Sequence, residues 1–325
     1  MLHSVPLVEV WRGDFLESCH RGHIVVSNFD GEIVQAWGNP NHVILPRSSC
    51  KILQALPLVA SGAADSLGLT TRQLALSCAS HQGAEIHSNL VKSWLKDLGK
   101  TDDDFRCGSQ WPRDTEARNA MIKNDETPCR YHNNCSGKHS GFLTLSAHLG
   151  AGPDYHLPEH PVQKAILNTF EEVIGETSPG YGIDGCSAPN WACTIGGLAR
   201  AMARCAGNSS DILGLASVRL RNAMMAHPDL VAGETRACTE LMNAAPGVAL
   251  KTGAEAVFTA IIPSKKMGVA IKIEDGAFRA SEAVITALLI RMGLLNAAHP
   301  AAVKRLGPIS NWDGLRTGSI SVALN

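Results

Sequence analysis

The 325-residue chain has little charge imbalance and no long hydrophobic run. Its 29 Lys and Arg residues balance 30 Asp and Glu residues, giving a formal net charge of −1. A chain with so even a charge balance is not expected to have the basic surface of a nucleic-acid-binding protein. No apolar stretch reaches the roughly 18 residues that a membrane-spanning helix requires. We therefore expect neither nucleic acid nor a membrane as a partner.

A secretion signal and paired cysteines are also missing. Residues 1–12 contain no basic region followed by a long apolar segment, so we expect a cytoplasmic protein. None of the ten cysteines belongs to a C-x-x-C pair, which argues against zinc ribbons and thioredoxin-like redox motifs. In a reducing compartment, most of these cysteines are expected to be reduced and buried as small apolar residues.

Several common catalytic motifs are absent as well. Gly137-Lys138 resembles the end of a phosphate-binding loop, but the earlier glycine that the Walker pattern requires is missing. The chain contains no G-x-S-x-G, no H-E-x-x-H and no G-x-G-x-x-G after a strand. These absences argue against P-loop proteins, α/β-hydrolases, common zinc proteases and dinucleotide-binding enzymes.

The spacing of apolar residues predicts strands near both ends of the chain and helices between them. A hairpin is expected from strands 23–28 and 32–37, joined at Asp30-Gly31, and Thr70 and Gln73 have the spacing of a helix-capping box. Residues 101–135 are polar and irregular, as in a functional or poorly ordered loop. This order favours an α+β fold over a doubly wound sheet, in a single domain spanning residues 1–325. Further helices are expected at about 49–60, 86–98, 138–149, 161–175, 190–204, 211–226, 229–243 and 280–293, and strands at 247–250, 255–262, 267–274 and 318–324.

An S-x-x-K motif at Ser48 and Lys51 is a candidate catalytic pair. Residues three apart share one face of a helix, so the lysine can serve as base for the serine if burial or nearby positive charge lowers its pKa. The segment around Lys51 is apolar, and Arg47 stands close by. A second copy, Ser93 to Lys96, lies on a polar helix and is expected to be a solvated face.

Lys251-Thr252-Gly253 strengthens the catalytic interpretation. S-x-x-K early and K-T-G late is the order found in penicillin-binding proteins and class A β-lactamases. The S-D-N triplet that those enzymes carry between them is absent, and Ser80 is a candidate for its place. The alternative is that Lys251 is a surface lysine at a strand end.

The richest cluster of chemical groups lies at residues 133–139. Cys135 and His139 are four apart, a spacing that suits two metal ligands on one helix face, and Cys186 follows a tight turn as a possible third ligand. The alternative is a buried cysteine beside a histidine at a helix start.

Taken together, these residues resemble the Rhizobium-type (class 3) L-asparaginases over nearly the whole chain. The segment 133–139 is the most specific part of the resemblance. The matching segments are 17–23, 38–40, 47–51, 78–81, 106–108, 133–139, 150–152, 156–161, 184–186, 227–228, 231–234 and 272–276.

The resemblance implies a fold like that of serine β-lactamases and penicillin-binding proteins, with a central antiparallel sheet flanked by helices and a helical portion. It also implies a homodimer that hydrolyses L-asparagine to L-aspartate and ammonia. The implied site residues are the nucleophile Ser48 with its base Lys51, the second pair Ser80 and Lys251, the zinc (Zn2+) ligands Cys135, Lys138 and Cys186, and the substrate-lining residues Arg47, His139 and Asp184.

Two other functions remain open from the sequence. One is a penicillin-interactive or β-lactamase-like serine hydrolase, which shares the S-x-x-K and K-T-G order. The other is a non-catalytic binding protein stabilised by zinc. Release of ammonia from asparagine would distinguish the amidohydrolase from both.

Overall fold

The computed structural model describes residues 3–324, and these residues form twelve strands and thirteen helices. The strands are β1 Val5–Arg12, β2 Phe15–Asn28, β3 Ile33–Trp37, β4 Val43–Ile44, β5 Tyr181–Ile183, β6 Pro189–Trp191, β7 Cys193–Thr194, β8 Ala249–Thr252, β9 Val257–Ile262, β10 Met267–Ile273, β11 Ile309–Ser310 and β12 Arg316–Val322. The helices are α1 Lys51–Ala60, α2 Ala63–Ser66, α3 Thr71–Ser77, α4 Glu85–Asp97, α5 Thr115–Lys123, α6 Ser136–His148, α7 Pro161–Ile174, α8 Ile195–Ala206, α9 Ile212–Ala226, α10 Pro228–Val231, α11 Ala237–Ala244, α12 Phe278–Arg291 and α13 Pro300–Leu306.

The chain folds around an eight-stranded antiparallel sheet. Its strand order is β11-β12-β1-β2-β10-β9-β8, and β3 pairs with β2 outside this path. Every residue of β9 is buried, and successive residues of a strand point to opposite faces, so both faces of the sheet are covered here. Helices α8 and α12 both pack on β9 and β10. The predicted α+β class, with an antiparallel sheet flanked by helices, is confirmed.

A helical portion stands beside the sheet and carries most of the chemistry-bearing segments. Helix α1 is buried along nearly its whole length and packs against α2, α3, α6, α7 and α9. Because α1 has no solvated face, its apolar residues contact five other helices. This helix therefore fixes the position of the Ser48 turn, which directly precedes it.

Several predicted elements are confirmed. Strands β2 and β3 form the expected hairpin, in which Ile24 pairs with Trp37. Thr70 and Gln73 form the predicted capping box at the start of α3. All ten cysteines are free, and all except Cys19 and Cys129 are buried, as expected for reduced apolar residues.

Other elements differ from the sequence prediction. The segment predicted as helix 190–204 begins with the short strands β6 and β7, and its helix starts only at Ile195. The predicted helix 229–243 is split into α10 and α11, because Gly233 and Thr235 have positive φ values of 107° and 62° that a helix cannot contain. Strand β1 and helices α5 and α13 were not predicted from the sequence. Residues 1, 2 and 325 of the predicted domain lie outside the described residues.

Candidate active site

Ser48 lies in a strained turn at the start of α1. Residues Arg47–Cys50 form a single turn of 3-10 helix, and Arg47 has a positive φ of 52°. Backbone strain of this kind persists only where the surroundings impose it, and here the Arg47 amide donates to Asn190 Oδ1 at 3.0 Å. Ser48 is half-buried, and its hydroxyl has no hydrogen-bond partner within residues 3–324. The hydroxyl is therefore available to a bound molecule.

Ser80 joins two buried lysines. Lys51 Nζ donates to Ser80 Oγ at 3.0 Å, to Cys135 Sγ at 3.2 Å and to the Ala79 carbonyl. Lys251 Nζ donates to the same Ser80 oxygen at 2.9 Å. The serine thus bridges two amino groups, and a proton can pass between them through its hydroxyl.

Close backbone contacts bring these segments together. A Cβ on Gly253 would lie 2.7 Å from the Pro46 carbonyl and 2.9 Å from the Ser49 amide, so only glycine lets the end of β8 approach the Ser48 turn. Thr259 Oγ1 donates to the carbonyls of Ser49 and Lys251 at 3.1 and 3.2 Å. The glycine of the K-T-G sequence therefore has a structural role in placing Lys251 beside the Ser48 turn.

Lys251 is poised to act as a base near neutral pH. Its side chain is almost fully buried, at 2% exposure. Burial lowers its pKa most, and the charges of Lys51 and Arg236 lower it further, to about 7, against an opposing effect of Cys238. A substantial fraction of Lys251 is consequently neutral at pH 7.

A second cluster joins a lysine to two thiols. Lys138 Nζ donates to Cys186 Sγ at 2.9 Å, and both side chains are buried. A hydrogen bond from the Cys135 thiol, followed by the charge of Lys138, lowers the pKa of Cys186 well below its ordinary value, although burial opposes this. Burial also opposes the rise in the pKa of Lys138, which the charge of Cys186 nevertheless produces. The cluster therefore holds an ammonium group beside a thiolate.

The donor set of this cluster fits zinc. Lys138 Nζ is hydrogen-bonded to Cys186 Sγ, and the Cys135 thiol is hydrogen-bonded to the same sulfur. Thiolate and neutral nitrogen donors are ligands that zinc prefers. Within residues 3–324, no group of three or more His, Cys, Asp or Glu side chains is arranged to hold a metal ion. The alternative set of Cys135, His139 and Cys186 is therefore not arranged as one metal site, and zinc at Cys135, Lys138 and Cys186 stays a prediction.

The three residues expected to line the substrate pocket have different surroundings. Arg47 and Asp184 form a salt bridge with 2.8 Å between Nη2 and Oδ1. His139 is completely buried, and its Nδ1 lies 2.8 Å from the Tyr155 hydroxyl. The His139 Nε2 atom has no partner within residues 3–324, and burial lowers the pKa of the ring well below its ordinary value, so the ring is neutral.

Close packing places α6 beside Ser80. A Cβ on Gly137 would lie 2.3 Å from the Leu76 carbonyl, so this glycine permits the contact between α6 and α3. The Ser80 segment is held from the other side as well, because the His81 amide donates to the Asn134 carbonyl at 3.1 Å. The helix predicted at about 138–149 is confirmed, since α6 spans Ser136–His148.

One cavity of about 400 Å³ connects the serine and thiol clusters. Six of the predicted site residues line it, while the three lysines and His139 lie behind its wall. Sequence reasoning missed three charged lining residues, because no motif marks them. The predicted lining residues are Arg47, Ser48, Ser80, Cys135, Asp184 and Cys186, and the missed ones are Arg113, Arg236 and Glu255.

The remaining S-x-x-K copy has no such surroundings. Ser93 and Lys96 lie on exposed positions of α4, outside the lining of this cavity. The interpretation of this copy as a solvated helix face is confirmed.

No helix within the described residues is long and apolar enough to cross a membrane.

Solved structures show low similarity to this chain. Mglu shares 12% identity with this chain at a TM-score of 0.40, and the match covers 86% of this chain and 68% of Mglu. In the tris and glutamate form of Mglu, the match covers 64% of that protein. The chain thus spans about two thirds of the Mglu length. A Bacillus glutaminase shares 13% identity with a TM-score of 0.39, covering 84% of this chain and 91% of its own. A Mycobacterium bovis β-lactamase shares 10% identity with a TM-score of 0.36, covering 83% and 94%. At such TM-scores, these likenesses carry no conclusion about activity.

Comparison with known families gives a firmer result. No curated protein matches the chain. The sequence profile of the family described as L-asparaginase II matches residues 8–322, which is nearly the whole chain. The chain therefore belongs to the L-asparaginase II family and is an amidohydrolase by that membership.

Proposed function

We propose that this protein is an L-asparagine amidohydrolase that forms L-aspartate and ammonia through an acyl-enzyme on Ser48. The observation that carries the proposal is a free Ser48 hydroxyl in a cavity whose wall contains the Lys51–Ser80–Lys251 array. Family membership supports the asparagine side chain as substrate. A cavity of about 400 Å³ accommodates an amino acid of this size.

In the first step, Ser48 Oγ attacks the side-chain amide carbon. The serine proton passes to Lys51, which has first passed one of its own protons through Ser80 to neutral Lys251. Backbone N–H groups of the cavity wall stabilise the oxyanion. Collapse of the intermediate breaks the C–N bond. The leaving nitrogen takes a proton through Ser80, whose hydroxyl is hydrogen-bonded to both lysines, and departs as ammonia.

In the second step, water hydrolyses the ester on Ser48. Neutral Lys251 is the base nearest to Ser80, so it removes a proton from the water through that hydroxyl. Attack of the water and cleavage of the ester release L-aspartate and restore the Ser48 hydroxyl. The cycle consumes one water and forms one ammonia.

Zinc is proposed to be held by Cys135, Lys138 and Cys186. Binding requires Cys135 and Lys138 each to lose a proton, since thiolate and neutral amine are the ligand forms. When bound, the ion supplies positive charge to the cavity wall and helps to orient a polar substrate. His139, immobilised by Tyr155, lies behind this wall and supports its shape.

The assembly and location of the protein follow from the family resemblance. We propose a homodimeric, single-domain enzyme located in the cytoplasm. The free buried thiols support a reducing compartment. Size-exclusion chromatography with light scattering tests the dimer.

An ammonia-release assay tests the proposed activity. Purified enzyme is incubated with L-asparagine and, in parallel, with L-glutamine, and a fluorescent penicillin is added to a third sample. Ammonia from asparagine supports the proposal. Rapid acylation by penicillin without ammonia release would instead indicate a β-lactamase-like hydrolase, and zinc-dependent melting without any turnover would indicate a binding protein.

A further inference from the structure

Five arginine, aspartate and glutamate side chains line the cavity together with the Cys186 thiolate, and two of the five pair with each other. Arg47 donates to Asp184 Oδ1 through Nη2 at 2.8 Å and through Nε at 3.3 Å. Asp184 Oδ1 also accepts the Gly185 amide at 2.7 Å. Because the charges of Arg47 and Asp184 are already paired, they gain less from an amino-acid zwitterion than an unpaired charge does. The other three charges are those of Arg113, Arg236 and Glu255.

Arg236 is the cationic side chain best prepared to bind an anion. It is half-buried and forms neither a hydrogen bond nor a salt bridge within residues 3–324. It precedes α11, and that helix is tied to the K-T-G strand because the Thr252 amide donates to Cys238 Sγ at 3.2 Å. Arg113, by contrast, is exposed. A guanidinium that is already partly desolvated and unpaired gains most from a carboxylate, which it can bind in bidentate fashion.

Glu255 is the matching unpaired anion. Glu255 and Ala256 have consecutive positive φ values of 56° and 54°, an arrangement that side-chain-bearing residues rarely adopt. Lys272 Nζ holds this turn by donating to the Glu255 carbonyl at 2.7 Å. The Glu255 side chain is exposed, and its carboxylate forms no salt bridge with any described residue. The turn therefore presents a free negative charge to the cavity, next to the end of the K-T-G sequence.

We propose that Arg236 binds the α-carboxylate of the substrate and that Glu255 binds its α-ammonium group. The two side chains come from different elements that flank Lys251-Thr252-Gly253, so together they fix both ends of the zwitterion beside the Ser48 turn. Arg47 and Asp184 keep their mutual salt bridge and form a rigid wall. This inference rests on the proposed amino-acid substrate and adds the residues that select it.

Substrate analogues that lack one charge provide the test. Succinamic acid is asparagine without the α-ammonium group, and 3-aminopropanamide is asparagine without the α-carboxylate. The ratio kcat/KM is measured for L-asparagine and both analogues with the full-length enzyme and its Arg236→Gln and Glu255→Gln variants. Arg47→Gln tests the competing assignment that the family resemblance implies. The matched controls are Arg113→Gln and Arg118→Gln, of which Arg118 is exposed on α5 and does not line the cavity.

The expected pattern is selective. Arg236→Gln lowers kcat/KM about 10- to 100-fold more for asparagine and succinamic acid than for 3-aminopropanamide, because one charge-assisted hydrogen-bond pair is lost. Any change common to all three compounds reflects the pKa of Lys251, which the Arg236 charge lowers. Glu255→Gln lowers it about 10-fold for asparagine and 3-aminopropanamide but leaves succinamic acid unchanged. Arg236→Lys restores part of the lost activity, as a retained charge without the bidentate geometry should. Equal losses on all three compounds, or the selective pattern in Arg47→Gln or Arg113→Gln instead, would overturn the assignment.

Binding measurements separate this inference from the proposed reaction. L-asparagine and the two analogues are titrated calorimetrically into the Ser48→Ala protein with and without each substitution. If asparagine binds with the predicted selectivity but the wild-type enzyme releases no ammonia, the reaction is wrong and the binding assignment stands. If none of the three compounds binds to the Ser48→Ala or the wild-type protein, the assignment itself is wrong.

Discussion

Lys251 and Lys138 are equally buried, yet their pKa values are shifted in opposite directions. Lys251 faces a neutral serine and two positive charges, so burial dominates and its pKa falls to about 7. Lys138 faces the Cys186 sulfur at 2.9 Å, and the charge of Cys186 raises its pKa although burial opposes the rise. The comparison teaches that the partner, rather than burial, decides whether a lysine here serves as a base or as a fixed cation.

We expect the cluster around Lys251, with Ser48, Lys51 and Ser80, to catalyse the reaction. Removal of the nucleophile Ser48 should therefore have the largest effect on ammonia release. We expect Ser48→Ala to lower kcat for ammonia release by at least about 10⁴-fold, since no covalent intermediate can form. The melting temperature should change little, because the Ser48 hydroxyl has no hydrogen-bond partner within the described residues. Ammonia release near the wild-type rate from Ser48→Ala would rule out the acyl-enzyme.

The depressed pKa of Lys251 should be visible in the pH dependence of activity. We expect kcat/KM to rise as pH increases through about 7, where Lys251 loses its proton. Lys251→Met should lower kcat by about 10²- to 10⁴-fold and remove this acidic limb from the profile. A wild-type kcat/KM that stays constant over about one pH unit on either side of 7 would contradict a role for neutral Lys251.

The same lysine should affect stability with a predictable sign. Its folded-state pKa of about 7 lies below the unfolded value of about 10.4, so the unfolded chain binds more protons between these pH values. The unfolding free energy of the wild type should therefore rise relative to Lys251→Met as pH increases from about 7 towards 10. Urea unfolding of both proteins at several pH values measures this difference. A constant difference across that range would show that the lysine is not desolvated.

The lysine–thiol side should instead carry the metal. We expect Cys135→Ser to lose most of its bound zinc in elemental analysis, because a serine hydroxyl is a poor substitute for thiolate. Cys205→Ser is the matched control, since Cys205 is also buried and the only side-chain hydrogen bond of its thiol among the described residues is to Ser217 Oγ at 3.5 Å. Equal zinc in Cys135→Ser and in the wild type would place the metal elsewhere.

The smallest effect is expected at the second S-x-x-K copy. Ser93 and Lys96 are exposed on α4 and have no counterpart of Ser80 or Lys251 beside them. Ser93→Ala should leave ammonia release unchanged and shift the unfolding free energy by less than about 0.5 kcal/mol. A clear loss of activity in Ser93→Ala would show that Ser93, despite its exposed position, takes part in the reaction.

Much of the candidate site was accessible from the sequence because its residues lie in short local motifs. Ser48 with Lys51, Lys251 with Gly253, and the segment 133–139 are recognisable by spacing alone, and the antiparallel hairpin of β2 and β3 follows from local alternation and the Asp30-Gly31 turn. Arg236 and Glu255 escaped prediction, because a single charged residue in a loop has no periodic signature. Helix α5 was also not predicted, because it lies in a polar segment and buries only Met121, which gives no apolar periodicity.

The sequence alone thus determined the family, the α+β class and the residues able to perform the chemistry. Only the tertiary structure decided their partners. Lys51 bonds to Ser80 rather than to Ser48, its neighbour in the motif, because α3 ends beside α1. Likewise, Lys138 meets Cys186 across 48 positions of the chain. A side chain's charge state depends on atoms within a few ångströms, and in a folded chain most of those atoms come from distant sequence positions.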